Sequence, residues 1–149
     1  MSDPVIVLNQ LDIVAHDFDA TLAFYRRLGV DIAEVPPSGG IRHAEVTLAS
    51  GFVLHIDNLE LARTYNAAWR RPEGSSRALL GFSVATREAV DQRYADLIAA
   101  GYAARQPPYD TFWGARYAVV ADPDGNDVGI MSAIDESRRS WPPVESPGP

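Results

Sequence analysis

The chain has 149 residues, 46% of them hydrophobic and 22% charged, which is the composition of one globular domain. Its formal net charge of −7 repels phosphate backbones and disfavours a nucleic-acid partner, while a neutral or cationic small ligand is easier to accommodate. Cysteine is absent and all 13 basic residues are Arg, which excludes disulfides, thiolate metal sites, thiol nucleophiles, Schiff-base chemistry and a phosphate-binding P-loop Lys. Proton transfer is left to His16, His43, His55, the carboxylates, the six Tyr and water, because Arg stays protonated. No apolar run approaches the roughly 20 residues of a membrane span. The first residues show no basic region followed by an apolar one. A cytoplasmic protein with no membrane partner is expected.

Residues 8–15 alternate, with Leu11, Ile13 and Ala15 on one side, and predict a strand. Asp17 or Asp19 can cap a helix over 20–28 that carries Leu22, Phe24, Tyr25 and Leu28 and stops at Gly29. Pro36, Pro37, Gly39 and Gly40 make a loop. Strands over 41–48 and 52–57 follow, joined tightly at Ala49-Ser50-Gly51. Asn58 can cap a short connecting helix through Arg70, with Tyr65 and Trp69 one turn apart on it. A second series opens with a strand over 79–85. Thr86 caps a helix that runs to about Ala100 and stops at Gly101. Pro107 and Pro108 mark a loop. Strands over 116–121 and 127–131 flank Asp122-Pro-Asp-Gly125, a turn in which Pro presets φ and Gly admits a positive one. From Trp141 onward the Pro-rich tail reads as extended or disordered, with docking through Trp141 as the other arrangement.

The two series share an order. Leu11, Tyr25 and Leu28 recur 69 residues later as Leu80, Tyr94 and Leu97, and Gly51, Leu54 and Ile56 recur 74 residues later as Gly125, Val128 and Ile130. The duplicated order carries the motifs Leu11-Asp-Ile-Val-Ala-His-Asp-Phe18, Phe24-Tyr25, Leu28-Gly29, Phe112-Trp-Gly114 and Asp122-Pro-Asp-Gly-Asn126. With them, residues 8–133 resemble the vicinal oxygen chelate superfamily, which includes glyoxalase I, extradiol dioxygenases, fosfomycin-resistance enzymes and bleomycin-resistance proteins. The resemblance implies an α+β fold, two tandem βαβββ modules forming a curved mixed sheet around a cleft. One domain, 1–133, would comprise module one at about 5–58, a connector at 59–78 and module two at about 79–133, with 134–149 a tail. Metal-dependent members place His or Glu at four positions, which fall here on Gln10, His55, Leu79 and Gly129. Only His55 is a usual ligand, and Leu79 and Gly129 carry no donor. The resemblance therefore implies the metal-free, bleomycin-resistance-like branch: a homodimer, without a cofactor, that sequesters a small organic molecule such as an antibiotic.

Alternation on the strands locates the cleft walls. Opposite the apolar Ala44, Val46, Leu54 and Ile56, one face of module one gathers Gln10, Asp12, His43, Glu45, His55 and Asp57. If the turn centres on Ser50, Glu45 stands opposite His55 and His43 opposite Asp57, and a slip of one residue would undo both pairs. The equivalent face of module two presents Leu79, Gly81, Ser83, Gly129 and Met131. His55 with Glu45 is the candidate acid/base pair, and the bland alternative is a solvated, hydrogen-bonded face. Candidate ligand contacts are Gln10, Asp12, His43, Asp57, Trp69, Leu79, Phe112, Trp113, Arg116, Gly129 and Met131. For Trp69 packing on the sheet is the competing role, and for Phe112 and Trp113 core or dimer closure. Arg116 would pair with a carboxylate of the ligand or of the protein. The competing function is a lyase, isomerase or dioxygenase-like enzyme using His55 with Glu45 or Asp57, or using a cation relocated to His43, Glu45 and His55, a spacing that matches no known ligand signature.

Overall fold

The computed structural model of the chain describes residues 5–143 and 146–149. Residues 1–4 of the expected domain and 144–145 of the expected tail lie outside the described residues. The fold is α+β, with a three-stranded and a four-stranded mixed sheet. The chain divides into two compact units, Met1–Pro72 and Glu73–Pro149.

In the first unit the order is β1 (Gln10–Ala15), α1 (Phe18–Leu28), β2 (His43–Thr47), β3 (Val53–Asn58) and α2 (Leu59–Tyr65). Asp17 is the cap of α1: its side chain accepts from the Ala20 N–H at 3.0 Å. Asp19 is left to pair with Arg42 at 2.9 Å. α1 buries Phe18, Leu22, Phe24, Tyr25 and Leu28 and ends at Gly29, whose left-handed backbone returns its N–H to Tyr25 and Arg26. Strand β3 is central, parallel to β1 and antiparallel to β2. Leu54 and Ile56 of β3 are 2% and 1% exposed and, with Ala44 and Ile13, form the core under α1. Two strands follow the helix in this unit. The segment with Pro36, Pro37, Gly39 and Gly40 stays irregular, as expected.

The second unit has the full βαβββ order: β4 (Leu79–Ser83), α3 (Arg87–Ala99), β5 (Ala104–Asp110), β6 (Arg116–Ala121) and β7 (Asp127–Met131). The sheet runs β4-β7-β6-β5, with β4 parallel to β7 and the other pairs antiparallel. Thr86 caps α3, accepting from the Ala89 N–H at 3.1 Å. Asp122 ties the turn between β6 and β7: one carboxylate oxygen accepts from Asp124 and Asn126 N–H, the other from the Asn126 amide.

Two expectations need correction. Pro107 and Pro108 lie within β5, not in a loop. β5 is an edge strand, and its register with β6 shifts on either side of Gln106, so the missing N–H groups leave no ladder bond unmade. The connecting helix ends at Tyr65, not Arg70. Thr64, Tyr65 and Asn66 are weak helix formers, and the Asn66 N–H closes the last turn on Ala62. Trp69 is therefore not on a helical face with Tyr65; it sits in a turn closed by its N–H on the Asn66 carbonyl at 3.0 Å.

The tail is tied down at its start. The Asp135 N–H donates to the Gly114 carbonyl at 3.0 Å and the Ser140 N–H to the Phe112 carbonyl at 2.8 Å, on either side of a 3-10 turn at Glu136–Arg138. The Trp141 ring lies edge-on to Phe112, 6.2 Å between centroids.

Candidate functional site

The strand register decides what meets on the first sheet. The pairs fall as a turn centred on Ser50 requires: Glu45 stands opposite His55 and His43 opposite Asp57. On the other side of β3, Asp12 of β1 is level with His55. Side chains alternate, so Gln10, Asp12, His43, Glu45, His55 and Asp57 share the face away from Leu54 and Ile56. α2 folds back over the end of this face. Asn58, its cap, accepts from the Leu61 and Arg42 N–H groups at 3.1 Å each. Leu61 and Tyr65, three and seven residues on, fall on the same helical stripe. The result is an open groove of about 350 Å³ lined by Gln10, Asp12, His43, Asp57, Leu61 and Tyr65.

Under the groove lies a buried carboxylate. Asp57 is 2% exposed. One of its oxygens is 2.6 Å from His43 Nδ1, and the other accepts from the Tyr65 hydroxyl at 2.8 Å. An ionised Asp only accepts, so His43 carries a proton on Nδ1 and turns Nε2 outward, toward Glu45. Beyond Nε2, Glu45 Oε2 lies 3.5 Å from His43 and 3.6 Å from His55 Nδ1. The two imidazole rings are 5.2 Å apart. Partial burial lowers the proton affinity of His43, but the bonds and charges of Asp57 and then Glu45 outweigh it, and the imidazole titrates above its usual range. The Tyr65 phenol is pushed up, first by desolvation and then by its bond to Asp57. Chemically the face can orient a small molecule with hydrogen-bond donors, accept a proton at His43 Nε2, or hold a cation among its carboxylates and imidazoles.

Apart from Trp69, in the turn after α2, the remaining sequence candidates belong to the second unit, which has a face of its own. Leu79, Gly129 and Met131 share one side of its sheet with Tyr117, which stands opposite Met131. Phe112 and Trp113 lie in the turn before β6, and an edge-to-face series runs Phe112–Trp113–Tyr117–Tyr109 with centroids 5.1, 5.6 and 6.4 Å apart. Arg116 takes protein carboxylates, Asp91 at 2.9 Å and Asp110 at 3.2 Å. Sequence reasoning missed Leu61, Tyr109 and Tyr117, and it named Tyr65 only beside Trp69. The signal for Leu61 and Tyr65 was available, because Asn58, Leu61 and Tyr65 have the i, i+3, i+7 spacing of one helix face.

A family model described as the Glyoxalase/Bleomycin resistance protein/Dioxygenase superfamily matches residues 7–130. The chain belongs to this superfamily. Among curated proteins no relative matches the sequence. Among solved structures, a glyoxalase/bleomycin resistance protein/dioxygenase family enzyme from Burkholderia phytofirmans PsJN is 27% identical, covering 85% of this chain and 98% of that one, with a TM-score of 0.70. A glyoxalase-related enzyme from Fulvimarina pelagi is 23% identical over 87% of this chain and 89% of its own, with a TM-score of 0.71. Lactoylglutathione lyase from Agrobacterium tumefaciens is 20% identical over 87% and 96%, with a TM-score of 0.61. These last two share the fold.

The four positions that carry metal ligands in metal-dependent members of the superfamily do not suit a metal here. Leu79 and Gly129 have no donor. A Cβ added to Gly129 would lie 2.7 Å from the Tyr117 hydroxyl and 2.9 Å from Leu79 Cδ2, so the room a ligating side chain would need is already filled.

Proposed function

We propose that this superfamily member binds a small amphipathic organic molecule, and that it does so without the four-position metal centre. The observation that carries the reading is the groove over Asp57. The buried Asp57 carboxylate, bonded to Tyr65 and to His43, fixes an imidazole that lines a cavity with an apolar Leu61 side and a polar Gln10–Asp12 side. The acidic balance favours a cationic or neutral ligand over an anion. A nuclear magnetic resonance screen of cationic and neutral aromatic fragments against the chelator-treated chain tests it. Shifts should cluster on Gln10, Asp12, His43, Leu61 and Tyr65. Shifts confined to other surfaces, or none for any fragment, remove the reading. The homodimer is part of the same proposal, and sedimentation equilibrium returning the monomer mass would remove that part.

The His43–Asp57 contact favours a second reading, proton-transfer catalysis of a lyase or isomerase type. The sequence pointed to His55 with Glu45. The geometry favours His43 as base, since its orienting carboxylate is buried at 2.6 Å whereas Glu45 is 64% exposed beside His55. For any molecule the protein turns over, His43→Ala should then lower kcat by about 10²–10⁴-fold. An unchanged kcat excludes it.

A further inference from the structure

On the sheet face that carries the groove, His43, Glu45 and His55 each offer one ligand atom within 4.8 Å of the other two. We propose that they form a binding site for a divalent transition-metal ion, distinct from the superfamily's four-position centre, with which it shares only His55. This goes beyond the binding reading and does not need it.

Three features of the site support this. The first is spacing. Donors bound to one ion at about 2.0–2.2 Å in tetrahedral geometry lie roughly 3.3–3.6 Å apart. Glu45 Oε2 is 3.5 Å from His43 Nε2 and 3.6 Å from His55 Nδ1, so the carboxylate already stands at ligand distance from both imidazoles. The second is preorganisation behind the donors. Metal-ligating imidazoles donate their other N–H to a carboxylate, which fixes the tautomer and aims the lone pair. Asp57 does this for His43 at 2.6 Å and is itself held by Tyr65. The third is the rigidity and openness of the frame. The donors sit on adjacent paired strands, Glu45 directly opposite His55 and His43 two residues along β2. The His43 and Glu45 side chains are 40% and 64% exposed, which leaves room for water or a ligand donor to complete the coordination. Asp12 Oδ1, 4.0 Å from His55 Nδ1, is a further oxygen within a short side-chain movement.

Two imidazoles and a carboxylate select zinc, cobalt or nickel over calcium or magnesium, which prefer all-oxygen sites. An ion here takes the His43 nitrogen that the proton-transfer reading uses as a base, so that reading describes the metal-free protein.

The test uses the full, untagged chain, stripped with a chelator and titrated with cobalt(II) alone, followed by visible d–d absorption and by calorimetry with zinc(II). One equivalent should bind, with the absorption of a low-coordinate nitrogen–oxygen site. His43→Ala, His55→Ala and Glu45→Gln should each weaken binding at least tenfold, and Asp57→Asn by about ten- to a hundredfold. His16→Ala should leave it unchanged. Circular dichroism checks that each variant is folded. If Asp57→Asn unfolds, the exposed Glu45→Gln still decides the matter. No binding by the wild-type chain, or binding that survives Glu45→Gln and His55→Ala undiminished, overturns the proposal. Fragment binding by the stripped protein is measured separately, so the two readings fail independently.

Discussion

A buried polar group is costly unless it is hydrogen-bonded, and of the two oxygens of Asp57, which is 2% exposed, one is taken by His43 and the other by Tyr65. Tyr65→Phe should cost about 0.5–1.5 kcal/mol by urea denaturation, because it removes the phenol's hydrogen bond to that second oxygen. The same contact has a pH signature. The folded phenol titrates above its ordinary value of about 10, so the bond contributes fully below that pH and is lost as pH rises through the raised value. An alkaline spectrophotometric titration should show the latest phenolate component shrink by one tyrosine in Tyr65→Phe. At Gly114 the constraint is steric. Its φ is +92°, and a Cβ there would come 2.3 Å from the Asp135 carbonyl oxygen, a backbone atom that cannot rotate away. Gly114→Ala should lower stability by about 2 kcal/mol or more and detach the start of the tail, visible as lost amide protection at Asp135 and Ser140.

At the scale of elements, much of the fold was legible because turns and caps announce themselves. Both outer strands of the Asp122–Asn126 turn were read to the residue, and the Ser50 turn fixed the register that brings Glu45 to His55. What was not legible has a common cause, tertiary context. Pro107 and Pro108 read as a loop because nothing local reveals an edge position. Asp57 read as one more polar residue on an open wall, because strand alternation cannot show that α2 folds over it. Asn58 is where those two elements meet. Its side chain caps α2, accepts from Arg42 and donates to the Gly40 carbonyl at 2.8 Å. Asn58→Ala should therefore cost about 1–2 kcal/mol in chemical denaturation, at the upper part of the range for a cap. It should also loosen Tyr65, read as faster hydrogen exchange along α2 with β4–β7 unaffected.

For the molecule as a whole, two facts visible in composition set the terms. The charge of −7 is not spread evenly in meaning: Asp12, Glu45 and Asp57 stand together on one sheet face, where they favour a cation. The absence of Cys and Lys leaves imidazoles and carboxylates as the reactive groups, and the first unit collects two of its three His on that face. Each unit has its own buried set, Leu22, Tyr25 and Ile56 in the first and Val90, Leu97, Val120 and Ile130 in the second.

The two prolines of β5 carry a consequence for behaviour at high concentration. The neighbouring strand, Arg116–Ala121, reads RYAVVA, and its apolar, β-branched run is the kind of segment that stacks chain upon chain into fibrils. The strand that shields it is an edge strand with two consecutive residues that have no N–H, so a second molecule laid against it finds a broken template. Replacing Pro107 and Pro108 with Val should leave the fold intact and shorten the lag before a fibril-sensitive dye responds. An unaltered lag would mean that this edge is guarded by something other than its prolines.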